Sequence, residues 1–181
     1  MINMILDDTK KRMEKAIESF NRELANVRTG RANPNMLDNV LVNYYDTPTP
    51  INQVAGVSVV EGRQLVIKPY DKNTLKDIEH AINEANIGLN PQNEGEIIRI
   101  MVPPLTEERR KEFAKDIGKY AENAKIAIRN IRRDANDEIK KADVSEDEVK
   151  SGEEQVQKIT DKYVKEVDER AKEKETDIMT V

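Results

Sequence analysis

FAKDIGKYAENAKIAIRNIRRDANDEI, residues 113–139, is the stretch on which the fold turns. Phe113, Ile117, Tyr120, Ala124, Ile128, Ile131, Ala135 and Ile139 recur in steps of three and four. That is one apolar stripe on a helix with a wide charged face, a pattern that demands a partner along the seam. Upstream, Thr106-Glu-Glu-Arg109 puts acidic residues in a first turn, where the helix dipole favours them. A helix over 106–141 would span about 54 Å.

The same pattern appears twice more. Downstream, Asp143-Val-Ser-Glu-Asp147 breaks and recaps the chain. A stripe of Val149, Gly152, Val156, Ile159, Tyr163, Val167, Ala171, Lys174 and Ile178 follows. Upstream, Leu6, Thr9, Met13, Ala16, Phe20, Leu24 and Val27 make a first helix over residues 1–30, with Thr29-Gly30 as its stop. Three amphipathic helices in one chain, two joined by a short turn, imply an antiparallel three-helix bundle. Such a set can satisfy its own seams, so the chain is expected to be a monomer.

Between the first two helices the pattern changes. Met36–Tyr45 reads as a strand ending in the turn Asp46-Thr-Pro-Thr-Pro50. Val54–Val60 alternates β-branched and small residues, and Glu61-Gly62 offers a hairpin turn into Arg63–Lys68, which Pro69 ends. Leu75, Ile78, Ile82 and Ala85 mark a short helix, with Asn73 or Thr74 as its cap and Gly88 past its end. Pro91-Gln-Asn-Glu-Gly95 reads as a turn before a last strand over Glu96–Val102. The expected class is α+β: an elongated antiparallel three-helix bundle (domain I, residues 1–30 and 105–181) with an inserted small β/α/β domain (domain II, residues 31–104). Two connections join the domains, and Gly30, Ala32, Val102, Pro103, Pro104 and Leu105 are the candidate hinge residues.

Composition removes several function classes. With no cysteine, a disulfide scaffold, a thiolate zinc site and a cysteine nucleophile are excluded. His80 is the single histidine, and no GxxxxGK[ST], GxGxxG or HExxH occurs. No catalytic residue, metal ligand or cofactor is therefore expected, and a thin bundle has little interior in which to shift a pKa. The apolar run Met1–Leu6 is too short for a signal peptide, and no stretch approaches a membrane span, so a cytoplasmic protein without membrane contact is expected.

The net charge of −5 is unevenly spread. Residues 105–142 carry 11 basic and 8 acidic groups, residues 143–181 carry 7 and 13. A basic segment in an acidic chain can mark an anion-binding surface, although charge alone favours a solvated face whose signs cancel locally. The helix geometry is more informative. Lys125, Arg129, Arg132 and Asn136 fall within about 60° of one another beside the apolar stripe, with Arg133 flanking them. The guanidinium fork suits phosphate oxygens and stacked bases. Intrahelical pairing, such as Arg129 or Arg133 with Asp137, explains the same residues equally well.

The wording of five separated segments narrows the choice. Ile128-Arg-Asn-Ile-Arg-Arg-Asp-Ala-Asn136, Pro103-Pro-Leu-Thr-Glu-Glu-Arg-Arg-Lys111, Val27-Arg-Thr-Gly-Arg-Ala32, Tyr44-Tyr-Asp-Thr-Pro-Thr-Pro50 and Gly88-Leu-Asn-Pro91 closely resemble the ribosome recycling factor family, in order and over the whole chain. The resemblance implies a three-helix domain I and a β/α/β domain II on a hinge. It also implies a non-enzymatic translation factor that enters the ribosome after termination and lies on large-subunit rRNA near the intersubunit bridges. With elongation factor G, which hydrolyses the GTP, such a factor drives the subunits apart and frees mRNA and tRNA. Carried over by motif, Arg132, Arg129 and Arg133 would face RNA, with Arg28 and Arg31 beside Gly30 as secondary candidates. Arg109 and Arg110 would contact RNA or pair at the helix start. Tyr44, Tyr45 and Pro48 would pack within domain II, and the acidic third helix would face away from RNA. Two rival classes remain: a coiled-coil adaptor or chaperone, which leaves the arginine face unexplained, and an enzyme on the insert, which lacks a nucleophile–base pair.

Overall fold

A computed structural model of the chain describes residues 1–179. It divides into two compact units, one formed by Met1–Thr29 with the chain from Thr106 onward, the other by Gly30–Leu105.

The first unit is a bundle of α1 (Ile2–Ala25), α4 (Glu107–Lys141) and α5 (Glu146–Met179), each packed on the other two. The Thr106 hydroxyl accepts from the Arg109 amide (3.1 Å) and opens α4, with Glu107 and Glu108 in the first turn. Ser145 does the same for α5 through the Glu148 amide (3.2 Å). The turn between them spans only residues 142–145, so α5 runs back antiparallel to α4. Leu6, Ala135, Ile139 and Val156 share one layer of the core. Further along, the Arg12 guanidinium pairs with Asp134 (2.9 Å), and the Tyr163 hydroxyl donates to Glu14 (3.3 Å). Burial first, then the Glu14 carboxylate, pushes the Tyr163 pKa up. These pairings make α1 antiparallel to α4 and parallel to α5. Two buried threonines sit in the seams at no polar cost. Thr9 and Thr160 donate to the carbonyls of Ile5 (2.7 Å) and Val156 (2.8 Å) in their own helices.

The second unit contains two antiparallel sheets. A hairpin pairs β1 (Leu41–Tyr44) with β2 (Thr47–Pro50). Following α2 (Ile51–Val54), a four-stranded sheet has the order β3-β4-β6-β5, built from β3 (Ala55–Val60), β4 (Gln64–Pro69), β5 (Pro91–Asn93) and β6 (Ile98–Met101). Helix α3 (Leu75–Glu84) contacts β1 and β5. Val42, Leu65, Ile67, Ile78, Ile82, Ile98 and Ile100 are fully buried between these layers. Glu61 and Gly62 turn β3 into β4 with φ of 56° and 70°, as the twist of a tight hairpin requires.

Several local expectations are corrected. Helix α1 ends at Ala25, before Thr29-Gly30; Gly30 does adopt a left-handed φ of 77°, but outside the helix. Ile17 is buried where the stripe named Ala16, because the core arc is wide enough for a second i+4 step, whereas Ala85 is exposed because α3 ends at Glu84, and Ala81, three residues after Ile78, joins the core. Phe113, Tyr120 and Lys174 are half-buried, while Ala121 joins the core. Residues 34–37 form a 3-10 turn, so the strand begins at Leu41. Thr47–Pro50 is a strand despite its prolines. Pro48 and Pro50 lie opposite Asn43 and Leu41, two apart, so both rings occupy positions whose nitrogens point away from the partner strand. Pro91–Asn93 pairs as β5 at the sheet edge, where proline is equally tolerated. Neither Asn73 nor Thr74 caps α3 by its side chain. Asp71 begins the preceding 3-10 turn by accepting the Asn73 amide (3.0 Å).

The Asp71 carboxylate also accepts the hydroxyl of Tyr45 (2.6 Å), at the tip of the β1–β2 hairpin, so one side chain ties two loops. The Tyr45 hydrogen bond, then the Asn73 amide, holds Asp71 below its ordinary range, and the same contact raises Tyr45. A depressed carboxylate stabilises the fold above its unfolded pKa and loses that contribution as pH falls through the folded value. Tyr45→Phe should move Asp71 upward in an NMR titration while leaving the sheet resonances in place; an unmoved Asp71 would contradict this contact.

Two helical glycines make a sharper test of packing. Gly118, exposed within α4, has nothing within 4 Å of where a Cβ would stand. At Gly152 of α5 a Cβ would meet Ile139 Cδ1 at 3.2 Å and Ile2 Cγ2 at 3.4 Å. Gly118→Ala should stabilise by about 1 kcal/mol through helix propensity. Gly152→Ala should gain less or destabilise, because Ile139 is fully buried and cannot swing aside. Equal gains in thermal midpoint would show that the α4–α5 approach is looser than described.

Candidate functional site

The predicted basic face lies on α4 at the edge of its seam with α5. The core residues Ile117, Ala121, Ala124, Ile128, Ile131, Ala135 and Ile139 fix the rotation of α4. With that stripe inward, Lys125, Arg132 and Asn136 stand at the border of the seam, half-buried, and Arg129 and Arg133 project beyond it, exposed.

The contacts of these side chains lie partly within α4 and partly across the seam to α5. Among the described residues no ion pair joins Arg129 or Arg133 to Asp137. Arg129 lies 3.6 Å from Glu122 of the same helix, half-exposed and weakly held, so its pairing is intrahelical but with a different acid. Lys125, only 20% exposed, pairs with Asp168 of α5. Arg132 donates from Nη1 to Gln157 Oε1 of α5 at 3.2 Å, and Gln157 Nε2 donates on to Asp161 at 2.8 Å. Its Nε is buried without a protein partner, as is Asn136 Oδ1 one turn further along. Arg132 thus enters the seam by its stem and inner nitrogen and presents its outer edge to solvent. Helix α5 therefore does not stand wholly apart from the basic face, as its acidity suggested. It borders that face and supplies Gln157, Asp161 and Asp168 to it.

These α5 residues were not singled out in the sequence, though a signal existed. A turn confined to residues 142–145 fixes the antiparallel register, which sets Gly152 on Ile139, Gln157 on Arg132 and Asp168 on Lys125. The other candidates are more dispersed. Arg28 is half-buried after the end of α1, and Arg31 is exposed at the start of the second unit. Arg109 pairs with Glu112 (3.2 Å) and lies over the Phe113 ring (5.9 Å), which is the helix-start role. Tyr44 and Tyr45 meet edge to face, 4.6 Å between centroids. Ala32 and Val102 are buried in the second unit, their amides bonded to the carbonyls of Gly62 and Arg63 (both 2.8 Å). His80 pairs with Glu84 on an exposed face (2.9 Å). In the interior, the buried polar residues described are Thr9, Thr74 and Thr160. No helix among the described residues is long and apolar enough to cross a membrane.

Comparison with known proteins agrees with the five sequence motifs. The family described as Ribosome recycling factor matches residues 20–179. The chain is 56% identical to the ribosome-recycling factor of Bacillus licheniformis, over the full length of both. It is 58% identical to that of Staphylococcus carnosus, covering 98% of each chain. Among solved structures it is similar to a solution structure of the ribosome recycling factor (TM-score 0.80, 40% identity, 99% and 98% of the two chains). It is also similar to a chain from the T. thermophilus ribosome recycling factor and E. coli elongation factor G bound to the E. coli post-termination complex (TM-score 0.66, 43% identity, 99% and 100%). By sequence along its whole length and by fold, this chain belongs to the ribosome recycling factor family.

Proposed function

We propose that the chain recycles ribosomes after termination. It binds the post-termination ribosome and, with elongation factor G, promotes subunit dissociation and release from mRNA. The observation that carries this reading is the family match over the whole chain, together with a structural relative described with elongation factor G on that complex. Within the chain, the surface assigned to large-subunit rRNA is the α4 face of Arg129, Arg132 and Arg133, with Arg28 and Arg31 as further contacts. Guanidinium groups at helical spacing along a long rod suit a phosphate backbone, and affinity from such contacts falls steeply with salt.

The work is done by binding rather than by bond chemistry. The fully buried polar residues described are threonines rather than paired acids and bases, and two of them are spent on their own helices. GTP hydrolysis is assigned to elongation factor G, and the site of action is the cytoplasm. The protein acts as a monomer, its three apolar stripes covering one another. The two units reorient about the connections around Gly30 and Pro103–Leu105. Ala32 and Val102, fixed into the second unit, move with it.

Arg132→Ala tests the RNA assignment. Its loss should cost the fold about 1 kcal/mol or less, since the side chain is half-exposed and outside the apolar stripe. Ribosome binding should weaken by about 1–3 kcal/mol, with a flatter dependence on salt. Glu173→Ala, exposed on α5, is the control and should bind like the parent. If Arg132→Ala binds ribosomes normally, or fails only because it has melted, Arg132 is a structural pairing residue.

A further inference from the structure

Resting on the rRNA assignment of Arg132, we infer that Gln157 and Asp161 of α5 are positioning residues for ribosome binding. They hold the Arg132 guanidinium in the orientation that meets phosphate. Neither is basic, and both come from the acidic helix that borders the face.

The geometry is a directed chain. Arg132 Nη1 donates to Gln157 Oε1 (3.2 Å), and Gln157 Nε2 donates to Asp161 Oδ1 (2.8 Å). The second bond decides the orientation of the first. An amide has a donor end and an acceptor end, and once the carboxylate takes the donor end the oxygen must point to Arg132. Gln157 and Asp161 are one helical turn apart, so the same face of α5 carries both. On the arginine side, Nε is buried in the seam and Nη1 is bound, which fixes the plane of the guanidinium. Nη2 has no protein partner among the described residues and is not buried, and Nη1 keeps a second hydrogen beyond the one given to Gln157. A planar fork held this way presents its two-pronged side to a phosphate without first having to be ordered.

The relay also separates charges usefully. Asp161 acts on Arg132 through a neutral amide rather than by direct contact. A carboxylate placed directly on the fork would occupy the donors that phosphate needs, as Glu122 does in part for Arg129 at 3.6 Å. Gln157 is exposed, so its removal leaves the core intact.

The test is a double-mutant cycle on purified 70S ribosomes, measured at two salt concentrations, with a thermal midpoint for each variant. Gln157→Met keeps the length and removes both hydrogen bonds. It should bind roughly three- to tenfold more weakly, the scale of ordering one long side chain on association. Its salt slope should match the parent's, because the phosphate contact persists. Asp161→Asn keeps an acceptor for the Gln157 amide and should stay within about twofold of the parent, as a geometric rather than a charge role requires. Arg132→Ala combined with Gln157→Met should bind no worse than Arg132→Ala alone. Parent-like affinity for Gln157→Met, or a loss that adds to that of Arg132→Ala, would overturn the positioning role while leaving the arginine reading intact. Parent-like affinity for Arg132→Ala would overturn the rRNA assignment itself, and this inference with it.

Discussion

The structure of the first unit depends on the register between α4 and α5. A turn of only residues 142–145 joins them, and Gly152 lets α5 approach Ile139 with no side chain between. Ile139 is fully buried there, in one layer with Leu6, Ala135 and Val156. Everything further along the pair follows from that contact. It sets Gln157 opposite Arg132 and Asp168 opposite Lys125, and it fixes which side of α4 faces solvent. A one-residue slip would rotate a helix by about 100° and break all of these pairings at once.

A protein that works by binding benefits from such a frame. The bundle buries alanine, isoleucine and valine along thin seams and keeps its charges outside. Its ion pairs are mostly exposed and individually weak. Their value lies in geometry: Arg12–Asp134 and Lys125–Asp168 join different helices, so they resist sliding and twisting of one helix on another. The second unit is organised differently, around a four-stranded sheet with α3 beside it and a hairpin tied down by Tyr45 and Asp71. Each unit has its own small core, and the chain crosses between them twice, at Thr29–Gly30 and Leu105–Thr106.

The helical stripes were legible in the sequence because burial on a helix repeats at 3.6 residues over many turns. The errors fell where a single step could go either way, as with Ala16 and Ile17, or where the helix ended before the stripe did, as at Ala85. The β-rich unit was less legible. Thr47–Pro50 and Pro91–Asn93 read as turns because proline removes a backbone donor, yet at the outward positions of a two-stranded ribbon or a sheet edge no donor is needed. The arginines could be grouped from sequence, since their angular positions follow from one helix alone. Gln157 and Asp161 were not, because their relation to Arg132 follows only once the short 142–145 turn is used to set two helices in register.

The exposed side of α4 beside the α5 seam is the surface proposed to face ribosomal RNA. The chain has no cysteine, so single cysteines can carry a tethered iron chelate that cleaves nearby RNA by hydroxyl radicals. Ile126 is 47% exposed and flanks Arg129 and Arg133 on α4, whereas Glu173 is exposed on α5 away from that seam. With the probe at Ile126→Cys, large-subunit rRNA should be cut strongly and at few sites; with the probe at Glu173→Cys, cutting there should be weak or absent. Equal cutting from both positions, or cutting from Glu173→Cys alone, would contradict the assignment of this face to RNA.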